Sequence, residues 1–230
     1  MSVNLKVNAI ILRRVNYGES DRILTVLTPK NGEIAVLARG TRKEKSRLAG
    51  GIELFSECQF SLIKSSLNLS GMWTLTSAKI IKFYDSIITD YDRLQFGYET
   101  IKQVSKISKI ADSPLFYELL VKTFAAINNL ELKLDVVKVW FYLQLANISG
   151  YGLNLSTDIN GMKLIEDTKY NFNINDMVFV FDGNGKYDTN TIKLLRLLTV
   201  SDSSILPKIN SVDSKTLTNA LYLSQVANRL

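Results

Sequence analysis

From Val7 to about Ile81 the chain has the β-like pattern of short apolar runs rich in valine, isoleucine and leucine, with alternation of apolar and polar positions in part. Polar turns separate the apolar runs, and Pro29–Gly32 places an Asn-Gly pair between two of them, which is a strong hairpin signal. Because closure removes exposed sheet edges, five short strands in so little chain predict a small closed barrel. The predicted strands are Val7–Val15, Arg22–Thr28, Glu33–Ala38, Glu53–Lys64 and Trp73–Phe83, with a polar turn at Ser65–Gly71.

The spacing of apolar residues then becomes helical. Ser113-Pro114 supplies a cap followed by proline at the first position of the second helix. The third helix begins at Asp135, its predicted N-cap, and ends at Gly150, and its interior carries the single charge of Lys138. We expect that helix to be the most buried. The predicted helices are Ile87–Ile110, Pro114–Asn128, Asp135–Ser149, Thr189–Val200 and Ser214–Leu230.

Between the third and fourth helices, residues from about 153 to 188 read as β-like or irregular, with one clear strand at Asp176–Phe181. The predicted fold class is therefore α+β. A five-stranded β-barrel over residues 1–82 precedes a mostly helical domain over residues 83–230, which contains the small β-like insertion.

The net charge of +6 belongs to the barrel segment, because residues 1–80 hold 12 basic and 6 acidic residues while residues 81–230 hold 16 of each. Five basic residues fall within nine positions, opposed by Glu44 alone, and two more lie earlier in the same domain. Such a cluster predicts a polyanionic partner, and arginine suits phosphate because its planar guanidinium can donate two hydrogen bonds. These candidate nucleic-acid-binding residues are Arg39, Arg42, Lys43, Lys45 and Arg47, with Arg14 and Arg22.

A charge run can equally be an ordinary solvated loop, and that interpretation stays open. Tyr17 is the best candidate for base stacking because it sits in a turn, whereas Phe55, Phe60 and Trp73 have the spacing of core residues. Contacts to phosphates would dominate affinity, so we expect little sequence preference.

Nothing in the chain predicts catalysis, a metal or a small-molecule substrate. There is no histidine, and the single Cys58 lies in an apolar strand where a buried thiol is expected. The segment Asp182–Asp188 lacks the residue pattern of a phosphate or calcium loop and predicts a turn, and Asp85, Asp90 and Asp92 favour a helix N-terminus over a two-metal site.

Neither a membrane span nor a secretion signal is predicted. The most apolar stretch, Val136–Ile148, is short and is interrupted by Lys138 and Gln144. The first eleven residues lack the order of a signal peptide. We therefore expect a cytoplasmic protein.

Several segments resemble the bacterial recombination mediator family RecO. The resemblance rests on Ala9–Thr28 with its Tyr17-Gly-Glu-Ser-Asp21 turn, on Gly32, on Ala38–Gly40 and on Lys45–Gly51. Farther on, Phe141–Leu155 resembles the central helix of the family. The resemblance covers the first 80 residues well and the remainder loosely.

This resemblance implies an oligonucleotide-binding (OB) fold in the barrel and a non-enzymatic role in DNA repair. Family members bind single- and double-stranded DNA, anneal complementary strands, engage the single-strand-binding protein, and act with RecR to help RecA load. A bacterial, nucleoid-associated location follows from the same comparison. The alternatives are an RNA-binding OB-fold protein and an interaction scaffold that acts through the helical domain.

One departure from the family changes the expectation about cofactors. Many members hold zinc with four cysteines in the stretch that matches residues 150–185, where this chain has neither cysteine nor histidine. Because tetrahedral zinc needs such ligands, we predict that no zinc is bound. Packing would then hold the insertion together, with contributions expected from Phe172, Met177, Phe179 and Phe181.

Overall fold

The computed structural model describes residues 2–65, 71–108, 114–209 and 211–228. The strands are β1 (Ser2–Tyr17), β2 (Asp21–Thr28), β3 (Gly32–Ala38), β4 (Ser56–Ser65), β5 (Trp73–Phe83), β6 (Lys169–Asn173), β7 (Val178–Phe181) and β8 (Tyr187–Asp188). The helices are α1 (Tyr91–Ile107), α2 (Pro114–Asn128), α3 (Leu134–Ile148), α4 (Thr189–Val200) and α5 (Ser214–Val226). Most of the predicted Ser65–Gly71 turn, the predicted cap at Ser113, and the predicted helix ends at Ile110 and Leu230 lie outside the described residues.

Strands β1 to β5 close into a barrel in the order β1-β2-β3-β5-β4, so the predicted OB-fold barrel and the α+β class are confirmed. Neighbouring strands run antiparallel except β3 and β5, which pair in parallel. The long strand β1 pairs with β4 through residues 2–10 and with β2 through residues 10–17. A register shift between Ile11 and Arg13 marks an irregularity of the kind that bends a strand.

The predicted hairpin joins β2 to β3. Gly32 adopts a positive φ of 59°, which favours glycine at this position. The Thr28 hydroxyl donates to the Gly32 carbonyl at 3.0 Å and accepts from the Asn31 N–H at 3.1 Å, so the turn is held by its own polar groups.

The barrel interior is filled by inward-facing aliphatic side chains from all five strands, together with Phe60. Cys58 belongs to this core and is fully buried, as predicted. Burial raises the pKa of its thiol, which keeps the side chain neutral. The buried core residues are Ala9, Ile11, Leu24, Val26, Val36, Ala38, Ile52, Cys58, Phe60, Leu62 and Leu75.

Phe55 fills the space between one end of the barrel and the first two helices. It has a positive φ of 57° and is 2% exposed. Its ring makes edge-to-face contacts with Tyr98 of α1, at 5.1 Å between centroids, and with Phe124 of α2, at 5.6 Å. Gly97 lets α1 approach, because a Cβ at that position would lie 2.8 Å from the Phe55 ring.

The backbone divides into two compact units, Met1–Asn128 and Asn129–Leu230. The first unit holds the barrel together with α1 and α2. The predicted domains, 1–82 and 83–230, follow the end of the barrel strands instead, and that division stays a prediction.

Helix α3 is the buried centre of the second unit. Nine of its fifteen residues are buried, in agreement with the prediction. Gly150, with φ of 82°, ends it, and the Tyr151 N–H donates to the Ala146 carbonyl at 2.8 Å. The predicted cap at Asp135 is wrong, because Lys133 occupies the N-cap and Asp135 lies in the first turn, paired with Lys138 at 2.9 Å.

The insertion forms a three-stranded sheet in the order β7-β6-β8. Phe179 is fully buried and makes edge-to-face contacts with Phe172 at 5.0 Å and with Tyr170 and Tyr187 at 6.1 Å. Phe181 contributes less than predicted: it ends an edge strand and is 58% exposed, although its ring makes an edge-to-face contact with the buried Tyr170 at 6.1 Å.

Phe172 and Met177, the other two residues predicted to pack there, are half-buried. Tyr170 and Tyr187 supply buried aromatic surface that the sequence did not single out. Burial also raises the pKa of Tyr187 to about 12, so its hydroxyl stays neutral near physiological pH.

Candidate nucleic-acid interface

The basic loop, residues 39–47, follows β3 and is tied to the turn between β1 and β2. The Arg42 N–H donates to the Ser20 carbonyl at 2.9 Å, and the Gly40 N–H donates to Asp21 Oδ1 at 2.8 Å. Gly18 and Gly40 have positive φ values of 56° and 65°, which let the backbone turn at both ends of this contact. The loop is therefore fixed against the turn that follows Tyr17.

The cationic side chains of the basic loop are exposed to solvent. The Arg42 guanidinium donates to the Gly18 carbonyl at 3.3 Å. Among the described residues the other four make no ion pair or side-chain hydrogen bond, and their charges are therefore available to an anionic ligand. These four are Arg39, Lys43, Lys45 and Arg47.

Tyr17 is 53% exposed, as expected, but it is the last residue of β1 and pairs with Asp21, so it lies at the end of the strand and not in the predicted turn. The hydrogen bond from the Arg42 guanidinium to the Gly18 carbonyl places this charge at the residue that follows Tyr17. An exposed aromatic ring beside cationic side chains suits a nucleotide, which offers a base to stack and a phosphate to neutralise.

The structure separates Arg14 from the other candidates. Its guanidinium donates to Glu53 Oε2 at 2.9 Å and to the Ile52 carbonyl at 3.0 Å, so its charge is already compensated. Arg22 is half-buried and pairs across the sheet with Asn16 and Ala38, without an ion pair among the described residues. Arg22 therefore lies close to the start of the basic loop.

Arg13 is a candidate that the sequence interpretation missed. It is exposed and pairs across the sheet with Thr25 on β2. Side chains alternate along a strand, so Arg13 shares the outward face of β1 with Val15 and Tyr17, while Arg14 takes the opposite face. No signal in the sequence pointed to this position, because the register shift between Ile11 and Arg13 reverses the alternation that the inward-facing Ala9 and Ile11 begin.

The acidic residues considered for metal binding have structural roles. Asp90 caps α1 by accepting from the Arg93 N–H at 2.9 Å, and Asp85 accepts from the Ser86 N–H at 2.9 Å. Asp182 accepts from the Asn184 N–H at 2.9 Å in a turn, as predicted. Within the described parts of the chain, no three metal-ligating side chains come together, and no helix is long and apolar enough to cross a membrane.

Comparison with known proteins agrees with this barrel. The family described as Recombination protein O N terminal matches residues 1–84. The DNA repair protein RecO of Acetivibrio thermocellus is 28% identical over 169 residues, which cover 72% of this chain and 65% of that protein. The RecO protein of Halalkalibacterium halodurans is 30% identical over 146 residues, covering 63% and 56% of the two chains.

A third relative, the DNA repair protein RecO of Roseiflexus sp., is 32% identical over 148 residues, or 64% of this chain and 50% of that protein. The chain spans less than two thirds of the length of these curated relatives. The matches agree with the segments on which the sequence resemblance rests. Residues 1–84 therefore match the N-terminal part of RecO proteins, and the chain is similar to DNA repair proteins named RecO over 63–72% of its length.

Proposed function

We propose that this protein is a DNA-binding recombination mediator of bacterial DNA repair, acting in the cytoplasm on the nucleoid. It would bind single- and double-stranded DNA, promote annealing of complementary strands, and act with RecR to help RecA load onto DNA coated with single-strand-binding protein. The observation that carries the proposal is the basic loop, whose unpaired cationic side chains are held beside the exposed ring of Tyr17.

Neutralisation of phosphates is the mechanism that this arrangement supports. Two complementary strands repel each other, and a protein that places positive charge between them reduces that repulsion. The exposed basic residues of the loop would supply the charge, with Arg22, which pairs with Ala38, next to the start of the loop and Arg13 farther along β1. Tyr17 would add the stacking of a base, which contributes about 1–3 kcal/mol per base.

The fixed conformation of the loop would add to affinity. A loop that must be ordered on binding loses conformational entropy, and that loss weakens the complex. Here the hydrogen bonds from Arg42 and Gly40 to the β1–β2 turn already restrict the backbone. The protein would therefore lose less entropy when the strand arrives.

Annealing makes and breaks no covalent bond, so the proposal needs neither a catalytic residue nor a cofactor. We further propose that the insertion does without zinc. Its centre is Phe179 and the aromatic rings around it, and these contacts require no metal.

An annealing assay tests the function directly. We expect purified protein to accelerate pairing of complementary oligonucleotides above the protein-free rate, and to do so equally with and without a metal chelator. The measurement is the formation of duplex over time, with a fluorophore and a quencher on the two strands. No acceleration would refute the proposed function, and a loss of rate in chelator would refute its independence of metal.

RNA is the alternative ligand, since contacts to phosphates discriminate poorly between the nucleic acids. Competition between DNA and RNA of equal length and sequence separates the two. A marked preference for RNA would point to recognition of the 2′-hydroxyl and would replace the DNA proposal.

A groove in the second unit favours partner binding as a second function. The groove, of about 410 Å³, lies between α4 and the start of α5. Its lining includes Leu194, Leu197 and Ile209, together with Lys208, Asp213 and Lys193, whose ammonium pairs with Glu166 Oε1 at 2.9 Å. Apolar surface beside the charge of Lys208, which is unpaired among the described residues, suits a partner segment that carries apolar side chains and an acid. RecR and single-strand-binding protein are the partners that the resemblance implies.

Charge reversal in the groove tests this second function. We expect Lys208→Glu to weaken binding of single-strand-binding protein severalfold, measured by calorimetry, because a like charge would then face the acidic segment. Binding of free single-stranded DNA should be unchanged. Unaltered partner affinity would exclude the groove as the docking site.

A further inference from the structure

A second polar surface lies on the barrel, on strands β1, β4 and β5. Its position follows from the register, because Val7, Phe60 and Ala78 pair in a row whose central residue, Phe60, is fully buried. Side chains alternate along strands, so the rows on either side face outward. These two rows are Lys6–Ser61–Ser77 and Asn8–Gln59–Lys79, which we call the lysine–amide face.

The lysine–amide face carries positive charge with no opposing acid in either row. Lys6 and Lys79 are exposed, and neither ammonium group makes an ion pair or hydrogen bond with the described residues. The next acid along β4 is Glu57, whose carboxylate accepts from the Tyr117 hydroxyl at 2.9 Å. Glu57 is thus committed to a contact with α2.

The uncharged members of the face are hydrogen-bonding groups without partners. The side chains of Asn8, Gln59, Ser61 and Ser77 make no hydrogen bond within the described part of the chain. Lysine, serine, asparagine and glutamine are among the side chains that contact phosphate and sugar in protein–DNA complexes. A protein partner would instead be expected to meet a central patch of large apolar side chains, and neither row has one.

The dimensions suit a single strand. Three strands about 4.8 Å apart, with two rows about 6.7 Å apart along each strand, separate Lys6 from Lys79 by roughly 12 Å. The two ammonium groups can therefore contact different phosphates of one extended strand, with amides and hydroxyls between them.

We propose that the lysine–amide face binds a second single strand of DNA, while the basic loop holds the first. The proposal rests on the proposed annealing function and extends it by assigning each strand its own surface. One protomer would then bring two strands together without requiring a second copy.

Removal of the two charges tests the assignment. With non-complementary oligonucleotides, we expect two strands per protomer in the wild type and one in the Lys6→Gln, Lys79→Gln variant. The loss of two phosphate contacts should reduce the slope of log K against log salt for binding of the second strand by about 1.4. This corresponds to about 25-fold weaker binding of that strand near 0.1 M salt. The tighter binding event should be unchanged, and annealing should slow by a similar factor.

A charge-matched variant, Lys163→Gln with Lys169→Gln in the second unit, is the control. Both positions are exposed lysines outside the barrel, so this variant should bind two strands like the wild type. Analytical ultracentrifugation with labelled strands gives the stoichiometry, and circular dichroism verifies that each variant folds.

The outcomes separate this inference from the function on which it rests. If the wild type binds no DNA, both fail. Three results would overturn the second site alone. They are one DNA strand bound per protomer in the wild type, two DNA strands bound per protomer in the Lys6→Gln, Lys79→Gln variant, or an equal loss of the second DNA strand in the control variant. Retention of both strands with loss of binding to single-strand-binding protein would make the face a protein site, which also overturns the inference.

Discussion

Replacing Arg42, Lys43, Lys45 and Arg47 together by glutamine is expected to weaken binding of single-stranded DNA by two to three orders of magnitude near 0.1 M salt. Each lost phosphate contact lowers the slope of log K against log salt by about 0.7, so four lost contacts lower it by about 2.8. The effect should be large because these side chains are exposed and mostly unpaired. Fluorescence anisotropy over a series of salt concentrations measures both quantities.

The matched control removes four exposed lysines elsewhere. In a variant with Lys106, Lys163, Lys169 and Lys215 replaced by glutamine, the net charge changes equally while the basic loop is intact. We expect that control to keep most of the affinity and nearly the full salt slope. Wild-type affinity and slope in the loop variant would contradict the proposed role of the loop.

Phe55→Ala is expected to lower the free energy of unfolding by about 3–5 kcal/mol, the range for truncation of a buried phenylalanine. The ring is 2% exposed and contacts both Tyr98 and Phe124, so its loss leaves a cavity where the barrel meets α1 and α2. The positive φ is equally unfavourable for alanine and offers no compensation. Urea unfolding followed by circular dichroism measures the change.

Phe181→Ala provides the comparison for this second prediction. Phe181 is 58% exposed and makes one edge-to-face contact, with Tyr170, so its truncation should lower the free energy of unfolding by no more than about 1.5 kcal/mol. A Phe55→Leu variant should fall between the two, because leucine retains part of the buried surface. A loss under about 1 kcal/mol in Phe55→Ala would contradict the assigned packing.

The barrel was predictable from the sequence where a strand buries one face and leaves the other partly in water, as β4 does at Cys58, Phe60 and Leu62, whereas residues 9–12 of β1 are buried on both faces. This alternation appears directly as a two-residue period, and the Asn-Gly hairpin fixed the register of β2 and β3. Helical spacing likewise located α1 to α5, to within a few residues at their ends. Short sequence patterns were therefore sufficient to predict the elements whose structure depends on neighbouring residues in the chain.

The candidate site was predictable in part. The clustering of basic residues identified the basic loop, but it does not distinguish the exposed Arg13 from the ion-paired Arg14. Which arginine is available depends on the pleat and on Glu53, which lies 39 positions along the chain from Arg14. The hydrogen bonds between the β1–β2 turn and the basic loop also join residues about twenty positions apart in the sequence, so no local pattern reveals them.

The packing of the insertion was also only partly predictable from the sequence. Apolar residues at β7 predicted a packed strand, and Phe179 confirms it. Phe181 follows the same alternation, yet the sheet ends beside it. Whether a residue at the end of a short strand is covered depends on its neighbours in space, which the period of the strand does not contain.

The length of β1 has a mechanical consequence. One continuous strand pairs with β4 in its first half and with β2 in its second, so residues on two sides of the barrel share a single covalent backbone. No hinge or linker separates Lys6 from Tyr17. DNA strands bound near Lys6 and near Tyr17 would keep a fixed distance and angle to each other, and the barrel would serve as a rigid spacer between these two DNA strands.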